Sequence, residues 1–152
     1  MPFKLTFEPK LALAVFKYSG DVTIEEVIHA EKQLQNSPDL HRCNKCLNIY
    51  NTDVVVQWTT DDFFHYRIKL EKQTEHLNKI RVAVVTESPL IFGMHRMYEV
   101  LNKAKSVYAD HMTFYNLDKA CDWLGIGTGN LVSRKTPILS DFEGRGREIS
   151  RS

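Results

Sequence analysis

The sequence predicts an α/β domain with a mixed, mostly parallel sheet and an antiparallel hairpin at its N-terminal end. Three observations carry this. Ile80 to Val85 is a nearly unbroken apolar, β-branched run, which suits a strand covered by helices on both faces. Glu87-Ser88-Pro89 then ends the strand and opens a helix, with Ser88 as cap and Pro89 at the first helical position, where its missing N–H costs nothing. Two strand-like segments precede the first helix with only a turn between them, and each later strand is separated from the next by a helix. The order is β-β-α-β-α-β-α-β-α.

Phe3, Leu5 and Phe7 alternate with polar residues, as in a half-buried strand, and Glu8-Pro9-Lys10 forms the turn. Leu11 to Tyr18 is the second strand, ended by Gly20. Thr23 and Glu26 have capping-box spacing, and Val22 with Val27 fall at staple positions. Ile24, Val27, Ile28 and Leu34 give that helix its buried face, and Asn36-Ser37-Pro38 closes it. Leu47, Ile49 and Tyr50 mark a third strand, closed by Asn51-Thr52-Asp53. Val54 to Trp58 either extends that strand or connects onward. The capping pattern then repeats with Thr59 and Asp62, and Trp58 with Phe63 as the staple. Phe63, Arg67, Leu70, Thr74 and Leu77 form one helical stripe. On the helix after Pro89, Leu90, Met94, Met97 and Leu101 recur at helical spacing and predict its buried face. Val107 to Tyr115 reads as the last strand. Asn116 caps a closing helix through Ala120, Trp123 and Leu124, which Gly125 stops.

The domain is expected over residues 1–126, followed by a polar tail over 127–152. That tail is rich in Gly and Ser and carries five Lys/Arg against three Asp/Glu. A chain of 152 residues is one domain's worth, enough to bury about 68–70% of its unfolded surface. A net charge of +1 argues against a nucleic-acid binder with a broad basic face. No apolar run approaches the roughly 18 residues of a membrane helix. The opening MPFKLTFEPKLALAVF alternates with charged residues, so no secretory leader is expected there. Three cysteines, an odd number, fit a reducing, cytoplasmic setting.

Two passages carry a family resemblance. RVAVVTESPLIFGMHRMYEVL contains a strand and then Gly93, Met94, Arg96, Met97 and Tyr98 on a helix; MTFYNLDKACDWLG contains a strand and then Ala120, Trp123 and Leu124. Over about residues 3 to 126 the chain resembles the STAS-like fold of the anti-sigma-factor antagonists. It is more similar to the uncharacterised STAS/SpoIIAA-like branch of small bacterial proteins. The resemblance implies the fold and, by analogy, a regulatory role through protein interaction. Phosphorylatable antagonists carry an Asp-Ser-Ser-Gly type turn where this chain reads Trp58-Thr59-Thr60-Asp61-Asp62. Thr59 and Thr60 are candidate phosphate acceptors, but Asp61 and Asp62 would repel the added charge, which favours a plain helix cap.

No catalytic set converges in the sequence, and no metal or cofactor is expected. Helix starts near Glu25-Glu26, Asp61-Asp62 and Glu87 are already complemented by acids, which disfavours a phosphate ligand. Cys43-Asn44-Lys45-Cys46 leads into a strand rather than a helix start and lacks a second ligand pair, so ordinary thiols are expected. Gly125, Gly127 and Gly129 follow a helix, the wrong context for a dinucleotide fingerprint. Candidate binding residues are Arg96, His95 and Tyr98 on the central helix, with Ser88, Thr59 and Thr60 at helix starts. Arg96 and Tyr98 are expected on the flanks of that helix, Arg96 binding a carboxylate of a ligand or of the protein itself. The sequence therefore reads as a non-enzymatic interaction domain with an unidentified protein partner, with a homodimer admitted. The alternative is a domain binding a small apolar molecule or lipid in a pocket lined by Phe63, Phe64, Phe92, Met94 and Met97.

Overall fold

The computed structural model describes residues 3–74, 80–103 and 109–127. Strands β1 (Phe3–Glu8) and β2 (Leu13–Tyr18) form the opening hairpin, with Phe3 opposite Tyr18 and Phe7 opposite Ala14. The second strand starts two residues later than expected. Pro9–Leu11 coils into a 3-10 turn instead, and Ala12 closes it with a positive φ of 53°. The Ala12 carbonyl then accepts from the backbone N–H groups of Asn44 and Lys45, which holds the turn against the strand that begins there.

After β3 (Asp21–Val22), α1 (Ile24–Asn36) begins with both halves of the Thr23–Glu26 capping box formed. β4 (Lys45–Tyr50) follows, and then β5 (Val55–Val56) pairs in parallel with β3 as a separate two-stranded sheet. This resolves the ambiguous segment Val54 to Trp58 and adds a short sheet to the expected order. The rest of the described chain is α2 (Thr60–Thr74), β6 (Ile80–Val85), α3 (Pro89–Lys103), β7 (Ala109–Phe114) and α4 (Leu117–Leu124). Leu77, Val107 and the tail after Gly127 lie outside the described residues.

The main sheet has the order β1-β2-β4-β6-β7, antiparallel at the hairpin and parallel elsewhere. The mixed α/β architecture is thus the one the sequence predicts. The three parallel steps all move in one spatial direction. Right-handed crossovers repeated in one direction deposit their helices on one face of the sheet. Accordingly Val27 and Leu34 of α1, Phe63 and Leu70 of α2, and Ile91 and Met94 of α3 share one core with Phe16, Tyr18 and Val84 of the sheet. α4 covers the opposite face, where Ala120 and Leu124 meet Leu47, Ile49 and Val85.

The expected buried face of α3 needs correction. Met94 is buried, but Leu90 and Met97 are exposed, while Ile91, His95, Tyr98 and Glu99 face inward. The helix is therefore rotated from the position that its apolar residues alone would set. The side chain of Leu101 lies outside the described residues.

Val84 is fully buried, registered between Asn48 on β4 and Thr113 on β7. Val84→Asp is expected to unfold the domain. An unpaired carboxylate there costs several kcal/mol against the roughly 5–15 kcal/mol that holds a domain together. A thermal melt followed by circular dichroism checks this, and an unchanged melting temperature would contradict the central position of β6.

Candidate functional site

The inner face of β7 should be apolar if it only packs against helices. Instead His111 and Thr113 occupy its inward positions, beside Val82 and Val84 of β6. Opposite them α3 contributes His95, Tyr98 and Glu99, α2 contributes Arg67, and β4 contributes Asn48 and Tyr50, all buried. A polar cluster thus occupies the half of the core beneath α2 and α3.

Its backbone is a chain of contacts at the long end of hydrogen-bond reach. Arg67 Nη2 lies 3.5 Å from His111 Nδ1, His111 Nε2 lies 3.4 Å from His95 Nδ1, and His95 Nε2 lies 3.2 Å from Tyr50 Oη. A guanidinium only donates, so His111 Nδ1 must accept, which places the imidazole proton on Nε2. That proton points at His95 Nδ1, which also accepts, so His95 in turn donates from Nε2 to the Tyr50 oxygen. One permanent charge therefore fixes both tautomers.

Rings enclose the chain. The two imidazoles stack with centroids 5.5 Å apart and 9° between planes. Phe63 packs edge-on to His95 at 4.9 Å, and the Arg67 guanidinium lies 4.6 Å from the Tyr98 ring centroid. Burial, reinforced by Arg67, lowers the pKa of His95 to about 3. His111 is held well below the ordinary histidine value by burial, then by Arg67 and His95. Burial pushes the Tyr50 hydroxyl and the Cys46 thiol up, and Glu31 of α1 as well, with Arg67 opposing each of these shifts. Both imidazoles are therefore neutral, and they are sealed from solvent.

The residues singled out in the sequence fall in three places. Ser88 caps α3, its Oγ accepting from the Ile91 N–H at 3.3 Å. Thr59 and Asp62 form a reciprocal cap at the start of α2, each backbone N–H donating to the other's side chain at 3.1 Å, and Thr60 is exposed beside it. On α3 the expectation for Tyr98 is corrected, because it points into the core rather than along a flank, and His95 is buried with it. Only Arg96 is outward, its side chain 49% exposed, and its Nη1 sits 3.4 Å from Oε1 of Glu99, which is 1% exposed. Its carboxylate partner is thus on its own helix.

The residues named for an apolar pocket line neither of two clefts among the described residues. Phe63 and Met94 fill the core, Met97 is exposed, and Phe92 stacks on Tyr115 with centroids 3.8 Å apart. One cleft of about 490 Å³ runs along the outer side of α1, lined by polar residues such as Glu25, His29 and Gln33. Another of about 90 Å³ lies between α1 and α2 near Ile28 and Tyr66. Cys43 and Cys46 are free, and burial raises both thiols, the opposite of the shift that makes a Cys-x-x-Cys pair redox-active. Among the described residues, no group of three His, Cys, Asp or Glu side chains is arranged to hold a metal ion, and no helix is long and apolar enough to cross a membrane.

No protein-family model matches the chain, and no curated protein matches it. A solved structure does. It is an uncharacterised protein of the DUF3478 family with a SpoIIAA-like fold from Shewanella loihica PV-4. The two are 19% identical, the match covers 80% of this chain and 91% of that one, and the TM-score is 0.49.

Two outcomes follow from the geometry. His95 binds its proton near pH 3 when folded and near pH 6.5 when unfolded, and His111 is shifted in the same direction. Below pH 6.5 the unfolded chain takes up protons that the folded chain refuses, so stability falls with pH. His95 contributes about 2 kcal/mol of that loss by pH 5, and His111 adds to it in the same direction. Urea melts at pH 7 and pH 5 measure it. Glu31, shifted upward, works in the opposite sense, so the cleanest reading is the difference between wild type and His95→Gln. The second outcome concerns Arg96. Arg96→Ala should lower stability by about 1 kcal/mol, because buried Glu99 loses a charged partner while solvent screens part of the effect. Wild-type stability in that variant would show that the ion pair does not anchor the helix.

Proposed function

We propose that this protein is a non-enzymatic, cytoplasmic regulatory domain that works by protein interaction, with a second copy of itself as the partner on the outer side of α3. The observation that supports the reading is an apolar ridge on that helix. Leu90, Met97 and Val100 are 62%, 54% and 64% exposed. They do not complete the core, since Ile91, Met94 and Tyr98 fill the inner side of the same helix.

Gly93 falls in the same row, giving spacings of three, four and three along 90, 93, 97 and 100, the rhythm of a helix–helix seam. Nothing lies within 4 Å of where a Cβ on Gly93 would sit. Packing within the domain therefore does not demand a glycine there, although glycine costs a helix interior about 0.5–1 kcal/mol relative to alanine. Two such helices laid antiparallel set 90 against 100 and 93 against 97. The row is then self-complementary, as a two-fold interface requires, with each Met97 entering the notch at the partner's Gly93. An exposed apolar row of this kind marks an interaction surface more often than it stands idle. The burial of the clustered titratable side chains supports a role without chemistry. Free thiols at Cys43 and Cys46 fit the reducing setting.

Sedimentation velocity over a concentration series tests the pairing. Wild type should dimerise. Met97→Glu should be monomeric with an unchanged melting temperature, since position 97 is outside the core. Gly93→Ala should stabilise the monomer by about 0.5–1 kcal/mol and weaken the dimer, because its methyl fills the notch. A wild type that stays monomeric throughout, or a dimer indifferent to both changes, overturns self-pairing through α3.

A further inference from the structure

α3 is attached asymmetrically. Its outer row faces solvent, while its inner side meets β7, the last strand of the sheet, through the polar cluster rather than through aliphatic packing alone. The other half of the same core is different. There β1, β2 and α1 share Phe3, Phe16, Tyr18, Val27 and Leu34. We propose that the stacked His95–His111 pair is an acid-release latch, which holds α3 against β7 while both imidazoles are neutral and frees the helix when they take up protons.

The geometry dictates this behaviour. One histidine is on α3 and the other on β7, with 3.4 Å between His95 Nδ1 and His111 Nε2. That contact needs one nitrogen donating and the other accepting. Two imidazolium rings have only donors, so the contact becomes a repulsion. Arg67 adds a third positive charge at 3.5 Å from His111 Nδ1, where the protonated ring has lost the lone pair that accepts from the guanidinium. The remaining groups facing the pair do not offset this. Tyr50 and Tyr18 are neutral phenols, Cys46 is a neutral thiol, and β6 contributes only Val82 and Val84. Glu31 on α1 acts on Arg67 and is itself biased toward its neutral form by burial. Glu99 is the carboxylate on α3, and Arg96 already lies 3.4 Å from its Oε1. Opening α3 hydrates both imidazoles and separates the charges. The opening equilibrium should rise by a factor approaching ten per pH unit for each histidine well below pH 6.5, and by up to about 250-fold for the pair between pH 6.5 and pH 5.

Hydrogen exchange by mass spectrometry on the full chain, at pH 6.5 and pH 5 and corrected for intrinsic exchange, tests the latch. Peptides over 89–103 should lose up to about 250-fold in protection, while those over 3–18 and 45–50 keep most of theirs. In the His95→Gln, His111→Gln double variant the α3 peptides should lose this pH dependence. Should that variant not fold, ¹⁵N imidazole spectra of wild type replace it. Both rings should then remain neutral, protonated on Nε2, down to the pH at which α3 signals change. Loss of protection in all segments together, protection of α3 unchanged at pH 5, a pH dependence surviving in the folded variant, or rings that charge without any change in α3 would each overturn the proposal. Because the readout is local exchange rather than association, it stands or falls separately from self-pairing.

Discussion

The Arg67 guanidinium carries a charge that no ordinary pH removes, and it lies beneath α2 among buried side chains. Much of the surrounding chemistry follows from that placement. A buried cation needs acceptors and π-faces, and His111 Nδ1 and the Tyr98 ring are within reach of it. Once His111 accepts, the direction of each further hydrogen bond to His95 and Tyr50 is determined. The same charge disfavours a second one nearby, which keeps both imidazoles neutral. Polar residues on four elements are thus tied to one another, and the rotation of α3 about its axis is set by them.

That rotation gives α3 its two unlike sides. If the helix packed by its most apolar row, Leu90 and Met97 would be inside, and His95 and Glu99 would face water. The reverse is observed. Burying the polar pair is tolerable because His95 meets His111 on β7 and Tyr50 on β4 while Glu99 meets Arg96 on its own helix, and the apolar residues displaced outward become the row along 90, 97 and 100. Core chemistry and surface chemistry on this helix are therefore two results of one choice of orientation.

The sequence shows most clearly what depends on a single element. Thr23 with Glu26, Thr59 with Asp62, and Asn116 all cap as their local spacing indicates, because capping involves only a few adjacent residues. The continuous run Ile80 to Val85 and the alternation of Phe3, Leu5 and Phe7 reveal strands for the same reason. What escapes the eye is what depends on two elements at once. Periodicity counts apolar residues along one helix, so it places His95 outside, although His111 and Thr113 recur two apart on the strand that would receive it. Noting that polar pair on the inner side of a strand would have pointed to the cluster. The β3–β5 sheet, two residues from each strand, is too short for any run to register.

The order of strands across the main sheet, β1-β2-β4-β6-β7, is also their order along the chain. No strand has to be threaded between two that are already paired. The hairpin closes a short loop and therefore supplies a template at small entropic cost, and each later βα unit can add at the edge that its predecessor has just exposed. A chain emerging from the ribosome could build this sheet in one direction, with a single growing edge at any moment and the αL turn at Ala12 already in position to receive β4. β7, preceded by α3, would then be the last strand to join. Until they arrive, the inner side of β6 would be left uncovered, so the interval before their docking is when the nascent chain is most open to mispairing.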